Sequence, residues 1–188
     1  MSLNSQFHLY MCYNVQILQN PIIKGQLMLK EMHEDDFIVS KTDLKGRLTY
    51  VNKIFMSMAD YTEEELLGQP HNIIRHQDMP KSVFKLLWDM IQDKKEIFAY
   101  VINKTKKGDA YWVFANVTAS LDARGEIIGY YSVRRKPNPT ALEIIKPLYQ
   151  QMIQAETTAG VDAGTSILTN LLHEKGIGYN ELIISLQQ

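Results

Sequence analysis

The residues best suited to chemistry crowd into one run, His71-Asn72-Ile73-Ile74-Arg75-His76-Gln77-Asp78-Met79-Pro80. Within eight positions, from His71 to Asp78, it sets two imidazoles, a guanidinium and a carboxylate, just before a strongly patterned helix. Imidazoles titrate near neutrality and can move protons, and two histidines with a carboxylate can ligate a metal ion. No nucleophile motif, phosphate-binding loop or further ligand cluster accompanies them, which weighs against an enzyme and against a metal centre. The plain alternative is a hydrogen-bonded loop in which Asp78 caps the helix that Pro80 begins. A second polar residue stands on an apolar face. In the segment Ile97 to Lys104, strand alternation puts Ile97, Ala99, Val101 and Asn103 on one side. A buried amide must find partners or cost roughly 1–3 kcal/mol. Asn103 both donates and accepts, which suits a heterocycle with a mixed edge, and Trp88 can wall the same cavity. The plain alternatives are an amide bonded to backbone at a strand end and a tryptophan that fills core.

The elements that must hold these groups are legible from pattern. Phe37 to Thr42 reads as a strand, Asp43-Leu44-Lys45-Gly46 as a turn with glycine supplying the positive φ, and Arg47 to Val51 as the returning strand. Short helical pieces follow at Asn52 to Ala59 and from Thr62-Glu63-Glu64-Glu65, where a cap precedes first-turn acids. Gly68-Gln69-Pro70 ends the second piece. Phe84, Leu87, Trp88 and Ile91 fall at i, i+3, i+4 and i+7, so residues 80–93 form a helix with one stripe toward a core. Strands at 97–104, 111–119 and 127–135 are separated by Lys107-Gly108-Asp109 and Ala123-Arg124-Gly125. This order predicts an α+β domain: an antiparallel sheet with helices gathered on one side. Residues 1–30 read as an N-terminal cap segment broken at Pro21, 31–137 as the main domain, and 138–188 as a C-terminal helical extension. Trp112 and Phe114 alternate away from Tyr111, Val113 and Ala115 and leave aromatic surface. The N-terminal segment from Phe7 to Leu18, a second subunit, a partner protein or the chain's own helices must cover it.

Composition narrows the classes. The 188 residues are 45% apolar and 22% charged, the profile of a soluble globular chain, and a net charge of -1 argues against a nucleic-acid partner. The single cysteine, Cys12, cannot form an internal disulfide and suits a reducing compartment. No apolar run approaches the roughly 20 residues that span a bilayer, and the N-terminus lacks the pattern of a signal peptide. The expectation is a cytoplasmic protein with no membrane span.

From Asp36 to Arg135 the chain resembles a PAS domain, most closely that of bacterial aerotaxis receptors and bipartite energy-taxis sensors. The matching pieces are ELLGQPHNIIRHQDMP (Glu65 to Pro80), FKLLW (Phe84 to Trp88), NKTKKGDAYWVFANV (Asn103 to Val117) and GYYSVRR (Gly129 to Arg135). The resemblance implies the PAS fold, a five-stranded antiparallel sheet with helices on one face. It implies non-covalent FAD, with Arg75, His76 and Asp78 needed to hold the cofactor. Asn52, Trp88 and Asn103 match pocket positions around the isoalloxazine ring, and His71 begins the same motif. Gln77 stands where relatives usually have proline, Ile97 where they often have tryptophan, and Asp60-Tyr61 where they have glycine-tyrosine. The implied role is a redox and energy sensor, not an enzyme. It would signal in trans to a methyl-accepting-type membrane transducer, because the chain shows neither a membrane anchor nor sustained heptads. A homodimer through the N-terminal cap and the outer sheet face is the expected assembly. The alternatives are a haem-binding gas sensor with His71 or His76 as axial ligand and a ligand-free protein-interaction module.

Overall fold

Period-two alternation builds a single five-stranded antiparallel sheet, in the order β2-β1-β5-β4-β3, in the computed structural model of the chain. The structure describes residues 29–188; the cap segment over residues 1–28, Cys12 and the placement of Phe7 to Leu18 lie outside the described residues. The strands are β1 (Ile38–Thr42), β2 (Leu48–Val51), β3 (Ile97–Lys104), β4 (Ala110–Leu121) and β5 (Ile127–Arg135). Pairing register sets the inner face. Ser40 lies opposite Ser132, which lies opposite Val117, and Ile38 lies opposite Arg134, which lies opposite Ala115. Ala115 in turn faces Ala99 on β3. Ala115, beside Arg134, leaves room where a larger side chain would close the core.

Between β2 and β3 run α1 (Lys53–Ala59), α2 (Glu63–Leu66), a 3₁₀ turn (His71–Ile74) and α3 (Lys81–Gln92). Asn52 caps α1: its Oδ1 accepts Phe55 N and Val39 N at 3.0 Å each, and its Nδ2 donates to Phe37 O at 2.7 Å. Thr62 and Glu65 form the capping box on α2. Asp60 ends α1 in the left-handed region at φ 58°, a conformation aspartate tolerates better than most residues, and Lys30 Nζ pairs with its carboxylate at 3.0 Å.

The expected stripe on α3 divides. Val83, Leu87 and Ile91 are buried, whereas Phe84 is half-buried and Trp88 is 36% exposed. The plain alternative of an Asp78 cap does not hold. Asp78 does not cap α3, and Pro80 offers no side-chain cap. Instead Glu156, far along the chain, accepts Lys81 N and Ser82 N at 2.8 Å each.

Beyond the sheet lie α4 (Pro139–Ala159), α5 (Val161–Lys175) and α6 (Tyr179–Gln187). They cover the outer aromatics and the free edge of β3. Trp112 and Phe114 are 9% and 3% exposed, with the Trp112 ring 6.1 Å from that of Tyr149. Tyr149 OH donates to Tyr100 O at 2.8 Å, and Asn180 Oδ1 accepts Phe98 N at 3.0 Å. An edge strand with unpaired amides invites pairing with another chain, and here α6 takes one amide of that edge and α4 one carbonyl. The aromatic surface that motivated a dimer through Trp112 and Phe114 is therefore covered from within. No helix among the described residues is long and apolar enough to cross a membrane.

Candidate functional site

A cavity of about 550 Å³ opens between α3, the 3₁₀ turn and the inner sheet face. Its walls are largely apolar: Ile74, Leu87, Ile91, Val101, Ala115 and Val117. Its floor is polar, formed by Ser40, His71, Asn103, Ser132 and Arg134.

Arg134 dominates this floor. It is 4% exposed and forms no ion pair among the described residues. Its Nη2 donates to Ser40 Oγ at 2.9 Å and to His71 Nε2 at 2.6 Å, and its guanidinium carbon lies 5.5 Å from the centre of the Phe55 ring. Burial pushes its pKa down to about 10, so it remains a cation at neutral pH. A guanidinium only donates, so His71 Nε2 accepts and the imidazole is neutral, with its proton on Nδ1. Burial, and then the charge of Arg134, push His71 down to about 3.

Three buried polar atoms here lack a hydrogen-bond partner among the described residues: Asn103 Nδ2, Ser132 Oγ and Arg134 Nη1. Most buried polar groups are paired, and an orphan costs about 1–3 kcal/mol, more when charged. All three belong to residues lining this cavity. At the mouth, Trp88 meets Tyr130 edge-on, with ring centres 5.2 Å apart. Trp88 also lies across the β1–β2 turn, where a Cβ on Gly46 (φ +73°) would sit 3.3 Å from its Cη2.

A second cavity, of about 620 Å³, shares Asn72, Arg75 and Lys81 with the first, so the two adjoin along these side chains. Arg75, His76, Lys81 and Lys104 face Ile153, Glu156 and Thr157 of α4 across it. The Arg75 guanidinium stacks 4.1 Å over the Phe84 ring. Burial lowers the Arg75 pKa, and the Glu156 carboxylate opposes that shift.

The structure gathers most, but not all, of the expected site residues. His71, Trp88 and Asn103 line the first cavity, His76 the second, and Arg75 both. Asn52 lines neither, because its amide is spent on the backbone of Phe37, Val39 and Phe55. Asp78 also lines neither: its side chain is 65% exposed, its Oδ2 is 3.6 Å from His76 Nδ1, and its amide donates to that same nitrogen at 3.2 Å. Sequence reasoning missed Arg134, Ser132 and Ser40. The signal existed in the alternation of β5, which puts Tyr130, Ser132 and Arg134 on one face, but the Arg134-Arg135 doublet reads as solvated charge. One arginine points in and its neighbour is exposed.

A family model described as PAS fold matches residues 48–134. The chain is 35% identical over 131 residues to the aerotaxis receptor of Escherichia coli (strain K12), covering 70% of this chain and 26% of that protein. It is 25% identical over 97 residues to a nitrogen fixation regulatory protein of Klebsiella pneumoniae, covering 52% of this chain and 20% of the relative. The chain thus spans about a quarter or less of these relatives' length. Among solved structures, the dark structure of the blue-light photoreceptor Aureochrome1 LOV matches with TM-score 0.51 at 19% identity, covering 74% of this chain and 99% of that one. A PAS domain from Colwellia psychrerythraea gives 0.50 at 17% identity, covering 53% and 85%. At such identities the two structures speak to the fold alone.

Proposed function

From the premise that this chain carries a PAS domain related to that of an aerotaxis receptor, we propose that it is a redox and energy sensor holding FAD non-covalently. In this reading it works in the cytoplasm, turns over no substrate, and signals to a separate membrane chemotaxis transducer. The observation that carries the reading is the floor of the first cavity: a buried guanidinium with no ion-pair partner among the described residues and an unsatisfied Nη1, beside two orphaned polar groups. A ligand that fits must bring hydrogen-bond acceptors to that floor and a flat apolar body to the walls. A flavin ring has both.

FAD, when bound, supplies the electron chemistry, and the protein supplies binding and electrostatics. Arg134 would hold a positive charge at the ring's polar edge, in a setting where desolvation strengthens it. Ser132 can donate a hydroxyl proton, and the Asn103 carboxamide can donate or accept. Neutral His71 orients the guanidinium through Nε2. Phe84, Leu87 and Val101 line the cavity and would exclude water from a ring bound there.

The second cavity favours a dinucleotide over a mononucleotide. It adjoins the first and carries Arg75, Lys81 and Lys104, cations suited to a pyrophosphate. Haem on His71 fits less well, because Nε2 is already taken by Arg134 at 2.6 Å and a guanidinium beside it opposes a second cation. Titrating ligand-free protein with FAD and with FMN tests the assignment. FAD is expected to bind at least about tenfold tighter, one charge-assisted hydrogen bond's worth. Equal affinities would show that the second cavity does not take the tail.

A further inference from the structure

The C-terminal helices do more than cover the sheet edge. Where α4 gives way to α5, at Gly160 with φ 85°, the pair meets the start of α3. Glu156 reaches across: its carboxylate accepts Lys81 N and Ser82 N at 2.8 Å each, and Ser82 Oγ at 2.6 Å. The first amides of a helix lack intrahelical partners, and α3 has no side-chain cap next to it in sequence. The Glu156 carboxylate takes that place. Helix α5 seats on the same spot. A Cβ on Gly164 would lie 2.7 Å from Glu156 Cγ and 2.9 Å from Ser82 Oγ, so a larger residue would force the contact apart.

The contact borders the ligand cavities. Val161, the first residue of α5, lines the first cavity, and Glu156 lines the second. The loop leading into α3 is pinned to the sheet from its other side. Arg75 bridges Asn103, and Met79 Sδ accepts Ile102 N at 3.3 Å. One short stretch of chain therefore touches the cavity, the sheet and the C-terminal helices at once.

We infer that the α4–α5 pair is a latch coupled to the ligand site: Glu156 and Gly164 dock it on α3, Val161 and Glu156 complete the cavity walls, and docking and occupancy favour each other. The inference rests on the FAD reading only for the identity of the ligand. A ligand that touches the completed walls binds the docked state better than the undocked one, and linkage makes the effect reciprocal. Occupancy of the cavity thereby reaches the outer surface of α4 and α5, where a partner can read it.

The test uses the full chain and the variants Glu156→Gln, Gly164→Ala and Ser82→Ala. Hydrogen exchange is followed at residues 81–83 and 161–168, with and without added FAD, and FAD affinity is measured in parallel. In ligand-free protein, Glu156→Gln and Gly164→Ala should raise exchange at 81–83 by about ten- to a hundredfold and weaken FAD binding by about tenfold. FAD should slow exchange at 161–168 in the parent and much less in these variants. Ser82→Ala removes a single contact and should move every reading a smaller distance the same way, which decides the matter if the stronger variants fold poorly. Parent-like exchange at 81–83 in Glu156→Gln would overturn the latch. Raised exchange there with FAD affinity unchanged within twofold would overturn the coupling. A parent that binds no FAD would overturn the cofactor reading instead, and the ligand-free exchange rates would still decide the docking.

Discussion

Replacing Arg134 with methionine should move stability and affinity in opposite directions. Arg134 is 4% exposed and faces no carboxylate among the described residues, so the ligand-free fold bears the cost of desolvating its charge. That cost is several kcal/mol per buried ion. Against it stand two hydrogen bonds from Nη2, to Ser40 and His71, and a cation–π contact with Phe55. Methionine keeps much of the length and removes the charge. It also leaves few orphans, because Ser40 Oγ and His71 Nε2 already lie 3.2 Å apart and can pair with each other. Exchanging buried ionic groups for apolar ones of similar volume is commonly neutral or stabilising by about 1–4 kcal/mol, so ligand-free Arg134→Met should be no less stable than the parent. Affinity should fall. Arg134 Nη1 has no hydrogen-bond partner among the described residues and belongs to a residue that lines the cavity, and a charge-assisted hydrogen bond of about 1.5–3 kcal/mol corresponds to about 10- to 150-fold in FAD affinity. Urea denaturation of ligand-free protein gives the first quantity and flavin titration the second. A variant that is clearly destabilised without ligand, yet binds FAD within twofold of the parent, would make Arg134 a structural residue and refute this reasoning.

The acid limb of stability should trace to His71. Its folded pKa is pushed down to about 3 from the ordinary 6.5, so between those values the unfolded chain takes up a proton that the folded chain refuses. The ligand-free fold should therefore lose stability as pH drops below about 6.5, by roughly 2 kcal/mol between pH 7 and 5 from this group, and His71→Gln should lose less in urea titrations at the two values; equal losses would contradict the assignment. Arg75→Ala should weaken FAD about tenfold or more, whereas Asp78→Ala, at an exposed position outside both cavities, should change it less than about threefold; the reverse order in flavin titrations would contradict the placement of these side chains. Asn103→Leu keeps similar bulk and removes both hydrogen-bonding options. It should retain some flavin yet abolish the difference in hydrogen exchange between oxidised and reduced samples along β4 and β5, and a parent-like response would reduce Asn103 to a structural amide.

Local rules made the fold readable, and the unreadable parts are the non-local ones. The turn at Gly46, the cap at Thr62 and the strands β3 to β5 follow from glycine conformation, capping chemistry and period-two alternation. The cap on α3 could not be read that way, because its acceptor, Glu156, lies 75 residues beyond Lys81 and a nearer carboxylate, Asp78, fits the local rule. Asn52 illustrates the converse. Its place in the motif suggests a ligand contact, but a strand-to-helix junction uses both acceptor sites and one donor of its amide. Arg134 was hidden by its neighbour Arg135, since only the side of the strand separates a buried cation from an exposed one. Burial of Trp112 and Phe114 was equally open to several covers until α4 placed Tyr149 against the sheet.

The central claim is that the two adjoining cavities hold FAD. Its most direct test is the visible absorption spectrum of the freshly purified full chain, followed by chromatographic identification of whatever denaturation releases. The expected result is the two-banded spectrum of an oxidised flavin, bleached by reductant, and release of FAD. A haem spectrum, release of FMN alone, or a colourless protein that does not take up added FAD would contradict it.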